Sequence, residues 1–260
     1  MSTRMRSATR AAALLLMATA TPAHAWWDDA GCKYSADRQV SIDTTGVERV
    51  EIMARAGDLD VRPASGTVLA GRGKACVSRE EYLAKTQLRV QRDGNVVRLW
   101  VEAPETFSGI GLFYAALDLT VTVPAALPVS ITDTSGDVKV DGLRVTRITD
   151  SSGDLLATNL RSDVQISDSS GDVRVEQAAG RVELNDSSGD IIVRGAREVV
   201  ITGDSSGDIV IERVAGDVKI DNDSSGDITV RDVGRNVTLL ADSSGDVHVS
   251  GVKGAVQLPK

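Results

Sequence analysis

The chain has 260 residues, of which 42% are hydrophobic, 25% are charged and only 3% are aromatic. Its 37 acidic residues outnumber 29 basic ones, and the resulting net charge of −8 disfavours binding to nucleic acid or to anionic lipid headgroups. This length accommodates one large domain or two small ones.

Residues 1–25 have the three parts of a secretory signal peptide. A start with three arginines is followed by an apolar run over 11–20 and by Ala23-His24-Ala25, which predicts cleavage between Ala25 and Trp26. The apolar run is shorter than the roughly 20 residues that span a bilayer. We therefore expect an exported protein, in the periplasm, at the cell surface or outside the cell, with a mature net charge of 26 − 37 = −11.

Cys32 and Cys76 are the two cysteines of the sequence. An even number in an exported chain favours one disulfide, because exported compartments are oxidising. Two free, buried thiols are the alternative. A bridge between residues 44 positions apart would stabilise the fold by about 3–4 kcal/mol.

Residues 26–130 are predicted to form a mostly β N-terminal region. Asp93-Gly94 separates two alternating segments, which predicts a hairpin. Ser78 and Glu81 have the spacing of a capping box, which predicts a short helix. Ala56-Gly57-Asp58 repeats part of the motif that follows, so we expect this region to begin a solenoid and to cap its first coil.

Residues 131–260 contain Asp-Ser-Ser-Gly-Asp, or a close variant, seven times, with glycine-to-glycine steps of 17, 18, 18, 18, 19 and 19 residues. Apolar residues recur two, four and seven positions after the glycine, and again at positions eleven and thirteen, where Thr202 is the one polar exception. Spacing by two places side chains on one face of a strand and excludes a helix. The glycines are Gly136, Gly153, Gly171, Gly189, Gly207, Gly226 and Gly245.

One coil of about 18 residues cannot bury its apolar row alone, but parallel stacking joins the rows of many coils into one core. The sequence therefore predicts an all-β fold, a parallel β-solenoid of about seven coils, each 17–19 residues long. At the strand spacing of about 4.8 Å, seven coils extend roughly 34 Å. The usual hand of parallel crossovers favours a right-handed solenoid. An antiparallel sandwich would not need identical turn residues at a fixed period.

The segments that carry a resemblance to a known family are the run from Val50 through the hairpin, then Leu119–Pro124, then the repeated Ser-Gly-Asp-Val. Together they resemble the "putative adhesin" family of bacterial β-strand-repeat proteins of unknown function. The resemblance covers nearly all of the mature chain. It implies an extracytoplasmic β-solenoid and supplies no catalytic residues.

The residues that could carry enzymatic chemistry are few, and we predict no enzyme. His248 is the one histidine after the signal peptide, and a catalytic triad requires a base that a carboxylate orients beside a nucleophile. One histidine and two cysteines do not supply a usual zinc site. Arg174, Arg194 and Arg231 are expected to share a column that a polysaccharide lyase could use, although ordinary surface composition explains them.

The repeated turn has two interpretations. Glycine permits an unusual backbone conformation, and Asp and Ser side chains close turns through bonds to nearby N–H groups. Alternatively, stacked carboxylates repel one another and their oxygens suit Ca²⁺, although the nonapeptide of calcium-binding β-rolls is missing. We predict no cofactor, with calcium as the alternative. The calcium candidates are Asp168, Asp172, Asp186, Asp190, Asp204, Asp208, Asp223 and Asp227.

The function predicted from these features is that of an exported, non-enzymatic binding or adhesion protein of the cell envelope. The expected partner is an envelope protein or a glycan, and neither nucleic acid nor a transmembrane segment is expected. One alternative is a self-assembling structural protein, because no capping helix follows the last coil at Gln257–Lys260. A polysaccharide-acting β-helix enzyme is the other.

Overall fold

The computed structural model describes residues 32–104 and 113–259, so the predicted cleavage site at Ala25 and Trp26 lies outside the described residues. Cys32–Lys260 form one compact unit. Its N-terminal part contains β1 (Tyr34–Asp43), β2 (Arg49–Met53), β3 (Leu59–Ala64), β4 (Val68–Val77), α1 (Glu80–Leu83), β5 (Gln87–Asp93), β6 (Val96–Glu102) and β7 (Ala115–Pro124). The repeats contain β8 (Pro128–Thr132), β9 (Val138–Asp141), β10 (Arg144–Thr149), β11 (Leu155–Thr158), β12 (Val164–Ser167), β13 (Val173–Asn185), β14 (Ile191–Gly203), β15 (Ile209–Val214), β16 (Val218–Ile220), β17 (Ile228–Val233), β18 (Val237–Leu239), β19 (Val247–Ser250) and β20 (Val256–Gln257).

The strands stack into two faces, and the predicted parallel β-solenoid is confirmed. The first face runs in the order β3, β9, β11, β13, β14, β15, β17 and β19, and every neighbouring pair is parallel. The second face runs in the order β2, β8, β10, β12, β13, β14, β16, β18 and β20, also parallel. The long strands β13 and β14 bend around the corner and belong to both faces.

One continuous apolar core lies between the two faces. The residues two and four positions after each motif glycine point inward, as Ile209 and Ile211 do, and they are buried in every coil but the last, where Val247 and Val249 are partly buried. In the coil of β14, however, the inward residues are Val199 and Ile201, one position earlier than the sequence pattern indicates. The register between β13 and β14 shifts at Thr202, which has no paired residue on β13. Thr202 therefore points outward and is not a polar exception in the core.

A second corner of each coil requires a left-handed backbone. The residue six positions after the motif glycine has a φ between 53° and 74° in all seven coils. Three coils use glycine there, and four use residues for which this conformation is strained. The next residue is the apolar corner, buried in every coil but the last, so this bend turns the chain back into the core. The seven residues are Gly142, Asn159, Gln177, Gly195, Arg213, Asp232 and Gly251.

The N-terminal end of the solenoid is covered by antiparallel strands. On the first face, β7 pairs in parallel with β3, then β4 and β1 add in antiparallel order. On the second face, β6 pairs in parallel with β2, and β5 completes the hairpin at Asp93-Gly94. A disulfide joins Cys32 to Cys76 on β4. The capping box is not formed, because Ser78 bonds to the backbone of Tyr114 and makes no side-chain cap on α1.

Within residues 32–104 and 113–259, the structure has no helix that is long and apolar enough to span a membrane.

Candidate functional site

The motif glycines form a column in which backbone lies directly on backbone. Gly207 has a φ of +130°, and a Cβ added to it would lie 1.9 Å from the carbonyl oxygen of Gly189. The column extends beyond the seven motifs, because Gly136 stands in the same way against Gly57. Only glycine fits these positions, both for its backbone conformation and for lack of space.

The serines of the motif connect each turn to the preceding one. The Oγ of Ser170 donates to the carbonyl oxygen of Ser151 at 3.2 Å, and Ser225 donates to Ser205 at 3.1 Å. The same bond occurs at Ser152, Ser188, Ser206 and Ser244. These contacts support the interpretation of the motif as turn chemistry.

The second aspartate of each motif lies on the outer side of the turn, and we call this column the outer row. Each outer carboxylate except that of Asp246, in the last coil, accepts a hydrogen bond from the amide of the equivalent aspartate one coil later, as Asp190 does from Asp208 at 2.9 Å. At the start of the row, Asp118 accepts the amide of Asp58 at 3.1 Å. The other members are Asp137, Asp154, Asp172, Asp227 and Asp246.

The first aspartate of each of the first six motifs lies inside the turn, and we call this column the inner row; the corresponding Asp242 of the seventh motif is only partly buried. Its members have between 0 and 3% of their surface exposed. Ala54 takes the equivalent position in the first coil, where β2 pairs with β8. Its amide donates to the carbonyl oxygen of Thr132, the residue before Asp133. The buried members are Asp133, Asp150, Asp168, Asp186, Asp204 and Asp223.

Most oxygens of the inner row lack a hydrogen-bond partner. Asp150 and Asp186 each accept the amide of the following serine at 2.7 Å, which leaves one oxygen of each without a partner. Both oxygens are unpartnered in Asp133, Asp168, Asp204 and Asp223.

Burial raises the pKa of every inner aspartate. Desolvation, with added repulsion from neighbouring carboxylates, raises the pKa of Asp133, Asp168 and Asp204 to about 7. The pKa values of Asp150, Asp186 and Asp223 are raised for the same first cause. Asp133, Asp168 and Asp204 are therefore expected to change their charge state near neutral pH.

The calcium candidates predicted from the sequence are thus divided between two environments. Asp168, Asp186, Asp204 and Asp223 belong to the inner row, and Asp172, Asp190, Asp208 and Asp227 belong to the outer row. In the described part of the chain, no three His, Cys, Asp or Glu side chains converge as metal ligands.

Sequence reasoning treated the two aspartates of a motif as near-equivalent and so missed the burial of the inner row. A signal was present in the spacing. Asp168 stands two residues after the inward Ile166, and Asp186 stands two residues after the inward Leu184. In a strand this parity points a side chain into the core.

The other sequence candidates are dispersed. His248 is exposed on the outer side of β19, opposite Thr229. Arg194 and Arg231 share a column and flank Glu212, at 3.0 and 3.8 Å, but Arg174 stands in a different column, in register with Ile192. The expected column of three arginines is therefore wrong.

Two shallow recesses, of about 260 and 390 Å³, lie around Met53 and Trp100 on the outer side of the second face.

Stacked coils, a glycine column and two aspartate rows define a parallel β-solenoid protein with a repeated hydrogen-bonded turn. The profile of one family, Toastrack DUF4097, matches residues 35–201, which is more than half of the chain. The chain belongs to the Toastrack family.

Solved structures with a similar fold have low sequence identity to this chain. A "putative adhesin" from Bacteroides fragilis is 15% identical, with a TM-score of 0.50, over 87% of this chain and 98% of that one. A "putative lipid binding protein" from Parabacteroides distasonis is 14% identical, with a TM-score of 0.48, over 87% and 98%. A "putative cell adhesion protein" from Clostridium sporogenes is 12% identical, with a TM-score of 0.40, over 86% and 100%. Among the curated proteins, none matches the chain.

Proposed function

We propose that the protein is exported and acts as a non-enzymatic, adhesion-type binding protein of the cell envelope. The observation that carries this proposal is the regularity of the solenoid. Its coils present equivalent outward positions in register, so the available contact surfaces are long rows of side chains. A partner with an extended or repeating surface, such as an envelope protein or a glycan, meets such rows at many points, and linked weak contacts add up to firm attachment.

The outer row is the most uniform of these surfaces. The amide of the next coil holds one oxygen of each carboxylate before the last coil, as in the pair Asp190 and Asp208. Charges that are already ordered lose little conformational entropy on binding. A row of carboxylates also favours a positively charged partner and repels an anionic one.

Two further features support the proposal. The signal-like residues 1–25 and the Cys32–Cys76 disulfide both agree with an exported protein. His248 lies exposed on a strand rather than in a recess beside a nucleophile, as acid–base catalysis would require.

The test is a binding isotherm of the purified protein on an envelope fraction of the source organism. We expect saturable binding that weakens with salt and is lost in the variant D172N/D190N/D208N. The control variant E183Q/E198Q/D221N removes the same number of charges elsewhere and should bind as the wild type does. Treating the fraction with protease or with periodate identifies a protein or a glycan partner. Equal binding by both variants would refute the outer row as the contact surface, and no saturable binding would refute the proposed function.

A self-assembling structural role is the second candidate, favoured by the apolar residues of the last coil. Val256 and Leu258 are 47% and 44% exposed, whereas equivalent residues of earlier coils are buried. Light scattering over a series of protein concentrations tests this role. A mass that rises with concentration supports it, and a constant monomer mass contradicts it.

A polysaccharide-acting enzyme would require turnover. Incubation with acidic polysaccharides, followed by assay of new chain ends, is expected to show none. Cleavage that is lost on substituting single aspartates would overturn the non-enzymatic proposal.

A further inference from the structure

The inner row is the feature that turn chemistry alone does not explain. An ionised carboxylate that is buried without a compensating charge is strongly disfavoured, and such a group takes up a proton instead. Six of these carboxyl groups stack, one per coil, at about the 4.8 Å spacing of neighbouring strands. Close stacking of so many charges adds repulsion to the cost of burial.

The charged groups that act on the inner row are themselves carboxylates. Asp58 acts on Asp133, and Asp242 acts on Asp223 from the last turn. Asp137 and Asp172 of the outer row act on Asp150 and Asp186. Among the described residues, no basic side chain bonds to any of the six, so no positive charge offsets the repulsion.

The bonding pattern alternates along the first five members of the row, from Asp133 to Asp204. Asp150 and Asp186 have one oxygen held by a serine amide, a contact that favours the ionised form. Asp133, Asp168 and Asp204 lie between or beside them with both oxygens unpartnered. Asp204 and Asp223 pair through a parallel β-bridge between adjoining coils, and a hydrogen bond between their carboxyl groups would need one proton as donor.

We propose that the inner row is a proton-binding ladder, in which protonated and ionised carboxyl groups alternate from coil to coil and each protonated group donates to a neighbour. The ladder takes these protons from solvent when the chain folds and releases them when it unfolds. Its ligand is the proton, and each bound proton removes one buried charge and supplies one missing donor.

The ladder predicts a stability that falls as the pH rises. The pKa of each inner aspartate is higher in the folded protein than in the unfolded chain, so the contribution to stability is fully present below the unfolded value near 4. It is lost as the pH rises to the folded value, about 7 for Asp133, Asp168 and Asp204. Carboxyl groups with lowered pKa values, such as Glu51 and Asp163, act in the opposite direction only at lower pH. The diagnostic window is therefore about pH 4.5 to 7.5.

The experiment compares Asp204→Asn with Asp208→Asn, which lies in the same turn but on the outer row. For the wild type we expect the equilibrium constant for unfolding, from denaturant titrations, to rise at least about tenfold per pH unit between pH 5 and 7. Asp204→Asn removes one titrating group, which contributes a factor of up to about ten per pH unit to the rise of the equilibrium constant. In this variant the equilibrium constant for unfolding should therefore rise less steeply with pH than in the wild type. Asp208→Asn should keep the wild-type slope.

An independent readout covers the case in which a variant fails to fold. The folded wild type at pH 6 should show the infrared band of a protonated carboxyl group, and the unfolded protein at that pH should not. A flat or rising stability across the window, equal slopes in Asp204→Asn and wild type, or a missing band would each overturn the ladder. Restoration of stability at pH 8 by calcium chloride in the wild type, but not in Asp204→Asn, would show that the row binds cations instead.

Discussion

Gly207 and Gly189 stand so close that a Cβ on Gly207 would lie 1.9 Å from the carbonyl oxygen of Gly189. Gly207→Ala is therefore expected to destabilise the protein by about 3 kcal/mol, from the left-handed backbone and the steric overlap together. The measurement is the free energy of unfolding in a denaturant titration.

Gly66→Ala is the matched control for that change. Gly66 also has a positive φ, of +85°, but nothing lies within 4 Å of the added Cβ. The Gly66→Ala variant should therefore be destabilised only by the backbone strain, which lowers its free energy of unfolding by about 1 kcal/mol. Similar losses in both variants would mean that close stacking of the glycines adds nothing.

Gln177→Gly should stabilise the protein by about 0.5–1 kcal/mol. Gln177 has a φ of 63° and is exposed, so glycine relieves the left-handed strain, which exceeds the entropy that glycine loses on folding. Gln165→Gly makes the same chemical change on the regular strand β12 and should destabilise by about 1 kcal/mol. Thermal unfolding of the two variants beside the wild type tests both values, and a shift in the same direction would contradict the prediction.

Reduction of the disulfide should lower the free energy of unfolding by up to about 4 kcal/mol, because the bridge between Cys32 and Cys76 closes a loop with a sequence separation of 44. Denaturant titrations with and without reductant measure the change. The variant C32A/C76A should be as stable as the reduced protein and insensitive to reductant. A reductant effect that persists in this variant would locate its cause elsewhere.

Calcium should stabilise the protein no more than magnesium at equal ionic strength. Ca²⁺ requires about six to eight oxygen ligands. Each outer calcium candidate, such as Asp190, already has one oxygen bonded to an amide, and the inner carboxylates are buried. Calorimetric unfolding in the presence of each ion checks this. A calcium-specific shift that Asp208→Asn abolishes would support the calcium interpretation instead.

The sequence predicted the solenoid because spacing by two is visible in residues such as Ile209 and Ile211, and because the turn motif recurs at a fixed period. It misplaced the inward pair of one coil, since a register shift next to β14 changes pairing without changing composition. It did not separate Asp204 from Asp208, because burial depends on which side of a turn a side chain occupies. The contacts of Asp204 come from other coils, and a single coil's sequence does not contain them.

The hydrogen bonds that connect one motif to another join adjoining coils, as those from Ser170 to Ser151 and from Asp208 to Asp190 do. Each coil therefore makes the same connections whichever coils lie further away. Duplication or deletion of one 18-residue unit would change the reach of the molecule by about 4.8 Å while leaving the other turns as they are. The length of the solenoid could thus evolve in small, equal steps, separately from the side chains that its faces present.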